Sequence, residues 1–181
     1  MSCLLETERL LLRLPEAADI SHFVPLLQDF EVAKNLSRAP HPYTEDDACA
    51  FITHAARGWR TGEDLAFAIL RKKGSAYIGA CGLHPSRDWE FGYWLGKAFW
   101  GQGYATEAGA RAVAYAFEER GADRLNACWY TDNPASGRVL EKLGFKHVGN
   151  ASRSCMARGT CVQAYSVTLD RAAYETREKV S

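Results

Sequence analysis

Residues 100–107 have the sequence Trp-Gly-Gln-Gly-Tyr-Ala-Thr-Glu. They join the apolar segment Phe91 to Leu95 to a long helical pattern that runs from Thr106 to Arg120. A glycine-rich turn at a helix start presents several backbone N–H groups at the positive end of the helix dipole, and glycine has no Cβ to obstruct a ligand. Such a junction favours a bound phosphate. Because the same turn also occurs as an ordinary tight connection, the pattern alone leaves both interpretations open.

Two common nucleotide motifs are excluded at this turn. It lacks the Lys-Ser/Thr ending of a P-loop and has one glycine fewer than the dinucleotide-binding fingerprint. Instead, residues 100–105 resemble the Gln/Arg-x-x-Gly-x-Gly/Ala motif with which the GNAT superfamily of acyltransferases binds the pyrophosphate of acetyl-coenzyme A (acetyl-CoA). The sequence departs from this motif at Trp100, where the superfamily usually has Gln or Arg. This departure removes one polar contact to the phosphates and leaves the backbone groups unaffected.

Longer strings resemble the RimJ/RimL branch, the N-terminal acetyltransferases of ribosomal proteins. They are Gly92-Tyr-Trp-Leu95, the turn up to Ala108, Asn133-Pro-Ala-Ser136 and Leu140-Glu-Lys-Leu-Gly-Phe145. The resemblance implies the GNAT fold, a mixed α/β structure with a single central, mostly antiparallel sheet of about seven strands and about four flanking helices. Its fourth and fifth strands splay apart to admit the pantetheine arm. It also implies direct acetyl transfer from acetyl-CoA to a primary amine, with CoA as product.

The resemblance places the cofactor site at the turn and the strand before it. Backbone groups of Tyr93 to Leu95 would bind the pantetheine arm and the thioester carbonyl, and the amide of Asn133 would hold the pantetheine. The cofactor-binding residues expected from the resemblance are Trp94, Leu95, Gly101, Gln102, Gly103, Tyr104, Ala105, Thr106 and Asn133.

Acetyl transfer needs an uncharged amine, a donor for the carbonyl oxygen and a proton for the departing thiolate. Glu90, three residues before Tyr93 in the same predicted strand, is the expected general base, directly or through a water, unless it is a solvated glutamate at a strand start. By resemblance, Ser136 donates to the thiolate, with Tyr130 as the alternative acid. A capping Asn133 and a solvent-facing Ser136 are the structural alternative for that motif.

Cysteine, histidine and a second glutamate offer alternative catalytic or metal-binding groups. Cys128 raises a covalent mechanism, but no His or cation stands near it in the motif, and a mid-strand cysteine is usually a small buried hydrophobe. The six cysteines and five histidines show no metal-ligand spacing, so we expect reduced, mostly buried thiols and no metal site. His41 and His84 could reach a substrate groove. Glu107 has a sufficient structural role as a partner of the helix dipole.

Length and composition predict one domain over residues 1–181, with residues 171–181 as a frayed helical tail. The 22 Lys and Arg residues balance the 22 Asp and Glu residues, which gives no electrostatic basis for binding nucleic acid or an anionic membrane. The start of the chain does not resemble a signal peptide, and no apolar run reaches membrane-spanning length. We therefore expect a cytoplasmic protein that is a monomer or a homodimer.

The apolar patterns predict seven strands and four main helices. The strands are expected at residues 9–13, 64–71, 77–84, 89–95, 124–130, 145–152 and 161–169, and the helices at 16–29, 44–59, 106–120 and between Asn133 and Gly144. Pro25 lies inside the first helix, and Thr44 with Asp47 forms the start signal of the second. Residues 30–43 and 153–160 lack core patterning, so we expect loops there that determine substrate specificity.

The acceptor amine stays open at this point. The branch name points to the N-terminal α-amine of a protein, whereas the same fold also serves enzymes that modify polyamines, amino acids and antibiotics. A third alternative is a catalytically idle domain that binds acyl-CoA. An acidic groove would favour a polycationic small molecule, and an open groove of mixed charge would favour a peptide terminus.

Overall fold

The computed structural model describes residues 4–178. These residues form one eight-stranded sheet with helices on both faces. The strands are β1 (Leu4–Glu6), β2 (Leu10–Arg13), β3 (Leu65–Arg71), β4 (Tyr77–His84), β5 (Trp89–Leu95), β6 (Arg124–Tyr130), β7 (Lys146–Cys155) and β8 (Thr160–Asp170). Their order across the sheet is β1-β2-β3-β4-β5-β6-β8-β7, and every neighbouring pair is antiparallel except β5 and β6. The predicted mixed α/β architecture is confirmed. The extra strand, β1, has three residues with one buried side chain, too short a segment to produce a readable alternation.

The helices are α1 (Ile20–Leu27), α2 (Phe30–Ala33), α3 (Glu45–Thr61), α4 (Tyr104–Ala114), α5 (Pro134–Lys142) and α6 (Arg171–Glu178). Helix α4 continues as a π-helical turn, Tyr115–Glu119. The predicted capping box of Thr44 and Asp47 starts α3, and Pro25 lies inside α1 as predicted. Within the described range, no helix is long and apolar enough to cross a membrane. Of the predicted tail, residues 171–178 are helical, and residues 179–181 lie outside the described residues.

Two segments predicted to be loops contain regular structure. Residues 30–43 begin with the short helix α2, capped by the carboxylate of Asp29, and four residues are too few to show helical periodicity. Residues 153–160 are mostly ordered, because β7 continues to Cys155 and a single 3₁₀ turn leads into β8. This hairpin lies at the sheet edge with largely exposed side chains, so its sequence is polar and lacks a core pattern.

The described cysteines are free thiols. Cys81 and Cys155 are buried, Cys128 is half-buried, and Cys49 and Cys161 are exposed. The prediction of mostly buried thiols is therefore wrong for Cys49, on the solvent side of α3, and for Cys161, in the β7–β8 hairpin. Cys3 lies outside the described residues.

Two apolar cores cover the two faces of the sheet. The larger packs Ala108, Ala112 and Val113 of α4 against Phe67 and its neighbours, and the smaller packs α1 and the start of α3 against Ala68. Adjacent residues of one strand point to opposite faces, so Phe67 and Ala68 assign these cores to opposite sides. Helix α4, which follows the glycine-rich turn, therefore packs on the Phe67 face of the sheet.

Strands β5 and β6 separate soon after they begin. Over the described chain they pair at two positions, Trp89 with Leu125 and Glu90 with Asn126, although each strand has seven residues. The remainder of both strands borders an open wedge. These are the fourth and fifth of the predicted strands, so the splay implied by the resemblance is confirmed.

Candidate active site

The wedge between β5 and β6 opens into a cavity of about 1070 Å³. Residues from both faces of β5 line it, including Glu90 and Gly92 on one face and Tyr93 on the other. The glycine-rich turn, the start of α4 and the start of α5 complete the walls. The cavity is therefore accessible to one ligand from the α4 side and to another from the opposite face of the sheet.

Ten of the eleven site residues expected from the sequence line this cavity: Glu90, Trp94, Leu95, Gly101, Gly103, Tyr104, Ala105, Thr106, Asn133 and Ser136. The exception is Gln102, whose side-chain amide donates a hydrogen bond back to the Ala98 carbonyl at 2.9 Å. Residues of the predicted cofactor site and of the predicted catalytic site thus meet in one place, although they belong to three separate segments of the chain.

The glycine-rich turn leaves a series of backbone N–H groups free. Gly101 and Gly103 have φ angles of +73° and +82°, in the left-handed region that glycine adopts without strain. Among the described residues, the N–H groups of residues 101–106 have no acceptor, and the first to be bonded is that of Glu107, 3.0 Å from the Gly103 carbonyl. They lie at the N-terminus of α4, which has no side-chain cap. This arrangement suits a phosphate or diphosphate group.

Trp100, the residue that departs from the family motif, stabilises the turn through a hydrogen bond. Its indole N–H donates to the Leu95 carbonyl at 2.8 Å and so ties the turn to the end of β5. From the other side, the guanidinium of Arg9 donates to the Gln102 carbonyl at 3.0 Å. The turn is held through its carbonyl groups and side chains, and its N–H groups remain available.

Glu107 connects the start of α4 to the turn between β1 and β2. Its carboxylate accepts hydrogen bonds from the Thr7 hydroxyl at 2.5 Å, from the Arg9 N–H at 2.9 Å and from Arg9 Nε at 2.6 Å. Partial burial opposes ionisation, but these bonds outweigh it and hold the pKa of Glu107 below its usual range. Beyond the dipole role expected from the sequence, Glu107 therefore has a specific tertiary role.

Tyr93 and Ser136 meet across the wedge. The Tyr93 phenol donates to Ser136 Oγ at 3.0 Å, and burial raises the pKa of Tyr93 to about 12. The backbone N–H of Ser136 donates to the side-chain oxygen of Asn133 at 3.3 Å, which makes Asn133 the cap of α5. The capping alternative for Asn133 is therefore correct, and its amide nitrogen is left for a ligand. The sequence pattern indicated a role for the backbone of Tyr93 but gave no sign of the contact made by its side chain.

Tyr130, the alternative acid, uses its hydroxyl elsewhere. The phenol is buried and donates to the Ser154 carbonyl at 2.7 Å, with the guanidinium of Arg158 lying 5.3 Å from the ring centre. Burial raises the pKa of Tyr130. Its proton is directed to the β7–β8 hairpin, away from Ser136.

Glu90 forms an ion pair that the sequence did not reveal. Arg153 Nη2 lies 3.2 Å from Glu90 Oε2, and Cys128 Sγ lies 4.0 Å from Oε1. The expectation that no cation stands near Cys128 is thus wrong, because Arg153 reaches it from the hairpin, 63 residues from Glu90 in sequence. Burial nevertheless raises the pKa of the Cys128 thiol, and Arg153 offsets this only in part, so the thiol stays protonated.

A second polar cluster lies beside Glu90. The buried carboxylate of Asp64 bridges two imidazoles, with Oδ1 2.9 Å from His84 Nδ1 and Oδ2 2.9 Å from His54 Nε2. Burial alone would raise the pKa of Asp64, but the hydrogen bonds to His84 and His54 lower it overall. Across residues 4–178, no group of three or more His, Cys, Asp or Glu side chains is arranged to hold a metal ion. All three residues of the cluster line the cavity.

Comparison with known proteins agrees with this geometry. Residues 9–146 match the family model of the acetyltransferase (GNAT) domain. The chain is 29% identical over 174 residues to an uncharacterized N-acetyltransferase of Bacillus subtilis, YoaA, an alignment that covers 93% of this chain and 98% of YoaA.

Solved structures share the fold at low sequence identity. RimL, a ribosomal alpha-N-protein acetyltransferase in complex with coenzyme A, superimposes with a TM-score of 0.82 at 15% identity, covering 93% of this chain and 98% of RimL. The microcin self-immunity acetyltransferase MccE, in complex with acetyl-CoA and AMP, gives a TM-score of 0.75 at 17% identity, covering 91% and 93%. At these identities the likeness concerns the fold and does not identify the acceptor.

Proposed function

The chain belongs to the GNAT acetyltransferase family, and we propose that within this family it acetylates the N-terminal α-amine of a protein or peptide. Membership makes it an N-acetyltransferase that uses acetyl-CoA. The identity of the acceptor is the new element of the proposal, and the charge distribution of the cavity supports it.

The cavity is balanced in charge. Its described lining has five acidic residues, Glu31, Asp47, Asp64, Glu90 and Asp132, and five basic residues, Lys34, Arg38, Arg138, Lys142 and Arg153. Several of the carboxylates already have partners, such as Glu31 with Lys34 at 2.8 Å and Glu90 with Arg153 at 3.2 Å. A polycationic amine requires uncompensated carboxylates, whereas a peptide terminus brings one ammonium group among neutral amides. The lining therefore fits a peptide terminus better.

Acetyl-CoA fits the α4 side of the wedge. The free N–H groups of residues 101–106 and the dipole of α4 would bind its diphosphate. Trp94 and Leu95 lie beyond the last β5–β6 pair. The Leu95 carbonyl accepts from the Trp100 indole, so the backbone group that Leu95 can offer the pantetheine arm is its N–H. Asn133 lines the same cavity, and its amide nitrogen would be the group that holds the pantetheine. These contacts would fix the thioester at the point where the sheet opens.

Ser136 stabilises the departing thiolate in this proposal. Because Ser136 Oγ accepts the hydrogen of Tyr93, the serine's own hydrogen is available to the sulfur. The amine nitrogen attacks the thioester carbonyl carbon, the C–N bond forms, and the C–S bond breaks with its electron pair on sulfur. The protonated amine loses two protons overall. One goes to the thiolate to give CoA, and a base takes the other.

Two groups on the opposite face of β5 stand where the amine must arrive. They are Glu90, the base expected from the sequence, and His84, its cross-strand neighbour in β4. Both line the cavity, and both are close to the point where β5 and β6 part.

The test is turnover of matched acceptors with acetyl-CoA, followed by release of free thiol and by mass spectrometry of the product. The set contains a lysine-free peptide with a free N-terminus, an N-terminally blocked peptide with one lysine, spermidine and an aminoglycoside. We expect acetylation of the first peptide at its α-amine. Turnover of spermidine or the aminoglycoside without turnover of that peptide would overturn the proposal. Binding of CoA without turnover of any acceptor would also overturn it.

A further inference from the structure

We propose that His84, oriented by Asp64, takes the proton from the acceptor amine, and that Glu90 with Arg153 holds the acceptor in place. This inference rests on the proposed function, since it assigns the proton acceptor of that reaction. It replaces Glu90 as general base with a residue from a different strand.

His84 and Glu90 share one face of the sheet. His84 ends β4 and is directly opposite Glu90 in the antiparallel register of β4 and β5. Cross-strand partners point to the same face, so both side chains lie on the face opposite Tyr93. The imidazole is 27% exposed, which leaves it accessible from the cavity.

Two glycines create the space for the His84 ring. A Cβ on Gly82 would lie 2.9 Å from His84 Cε1 and 3.1 Å from Nε2, and a Cβ on Gly92 would lie 3.5 Å from Nε2. The ring therefore lies over both glycines, which are themselves a cross-strand pair. Its Nε2 edge is near Gly92 of β5, the strand that borders the wedge.

Asp64 determines which ring nitrogen carries the hydrogen. An ionised carboxylate can only accept hydrogen bonds, so His84 Nδ1, 2.9 Å from Asp64 Oδ1, must be the donor. In the neutral imidazole this leaves the lone pair on Nε2. Nε2 has no hydrogen-bond partner among the described residues. A base held by a carboxylate through its other nitrogen is the arrangement that orients histidine for proton transfer.

The Glu90 carboxylate is already engaged. Arg153 occupies Oε2, and Oε1 faces the Cys128 thiol. An ion pair of this kind presents a carboxylate and a guanidinium side by side. The carboxylate can accept a hydrogen bond from an α-ammonium group, and the guanidinium can donate to the first peptide carbonyl. This assigns Glu90 and Arg153 to acceptor binding.

The proton transfers balance with this assignment. The acceptor R–NH3⁺ gives one proton to His84 Nε2, which becomes an imidazolium stabilised by Asp64. The neutral nitrogen then forms the C–N bond, the C–S bond breaks, and the second amine proton goes to the thiolate. His84 returns its proton to solvent.

The test compares His84→Asn with Glu90→Gln on the peptide acceptor. Asparagine can still donate to Asp64 but has no basic nitrogen, so we expect kcat to fall about 100-fold or more while the affinity for CoA is unchanged. With an acceptor that is already uncharged at assay pH, such as an arylamine or hydrazine, the same variant should lower kcat by less than about tenfold. Glu90→Gln should raise the KM of the peptide about tenfold and change kcat little. His22→Asn, on the exposed side of α1, is the matched control.

A second variant gives an independent readout. His84→Ala should be partly rescued by added imidazole, which can occupy the space over Gly82 and Gly92. The proposal is overturned if His84→Asn keeps kcat within about threefold of wild type, or if Glu90→Gln shows the large kcat loss instead. If wild-type protein turns over no peptide, the proposed function fails. If wild-type protein acetylates the peptide but either of these two results is found, only the assignment of His84 as the base fails.

Discussion

The phenol of Tyr93 donates a hydrogen bond to the hydroxyl of Ser136 at 3.0 Å and so joins β5 to the first turn of α5 across the wedge. Burial raises the pKa of Tyr93 to about 12, so the phenol is neutral and keeps its hydrogen for this bond. Ser136 is therefore held in one orientation, because the phenol that donates to it stays neutral. This geometry makes the serine hydroxyl a positioned donor, which a freely rotating surface serine would not be.

Replacement of Ser136 by alanine should lower kcat about 100-fold, the magnitude typical of a lost donor to developing charge. The affinity for CoA should stay unchanged, because the diphosphate site is on another segment. Tyr93→Phe should cost about tenfold, and the double variant should be no slower than Ser136→Ala, since Tyr93 acts through the serine. Steady-state kinetics and calorimetry with CoA measure both effects. Additive losses would show that the two hydroxyl groups act independently.

Tyr130→Phe should leave kcat within about threefold of wild type and lower the free energy of unfolding by about 1 kcal/mol, the value of one hydrogen bond. The reason is the bond from its phenol to the Ser154 carbonyl, which stabilises the β7–β8 hairpin. Urea unfolding and kinetics on the same preparation measure the two quantities. A large loss of kcat with unchanged stability would instead make Tyr130 the general acid.

Gly101→Ala should weaken CoA binding, and Gly74→Ala provides a matched control. Both glycines have left-handed φ angles, +73° and +81°, and a Cβ at either would meet no described atom within 4 Å. Each substitution should therefore destabilise the fold by about 1 kcal/mol through backbone strain alone. At Gly101, relief of that strain also reorients N–H groups of the anion site, so we expect about a tenfold rise in the Kd for CoA. An equal Kd for both variants would show that the turn does not bind the cofactor.

The sequence predicted those parts of the fold and site that depend on local patterns. The capping box of Thr44 and Asp47 and the glycines of the turn act within four residues, and they were found where predicted. Apolar strands such as β3 and β4 were also predicted correctly, because buried strands have continuous apolar runs. Both strands of the β7–β8 hairpin were predicted as well, and only the strand residues within 153–160 were missed, because the exposed, polar end of the hairpin has no such signal.

The missed site residues are all defined by contacts between distant segments. Arg153 meets Glu90 across 63 residues, and Asp64 meets His84 across 20. Neither pair has a fixed spacing, since the separation depends on the lengths of intervening turns and helices. The sequence predicts that His84 could reach the groove, but only the register of β3 and β4 shows that Asp64 is its partner.

Glu107→Gln should destabilise the protein in a manner that depends on pH. Hydrogen bonds to this carboxylate from Thr7 and Arg9 hold its pKa below the ordinary value of 4.5, so the charged form is favoured in the folded state. A group whose pKa is lowered on folding contributes stability above its unfolded pKa and loses it as the pH falls through its folded pKa. The variant should therefore be about 2 kcal/mol less stable than wild type near neutral pH.

As the pH falls below 4.5, this difference should shrink, because wild-type Glu107 then also loses its charge. Glu119→Gln is the control, since Glu119 is 49% exposed in its ion pair with Arg111 on the same helix. An exposed pair contributes less than about 1 kcal/mol, so that variant should differ little from wild type at any pH. Urea unfolding of the three proteins between neutral and acidic pH measures the differences. A constant deficit for Glu107→Gln would mean that it arises from packing, and the carboxylate would then not be what anchors the start of α4.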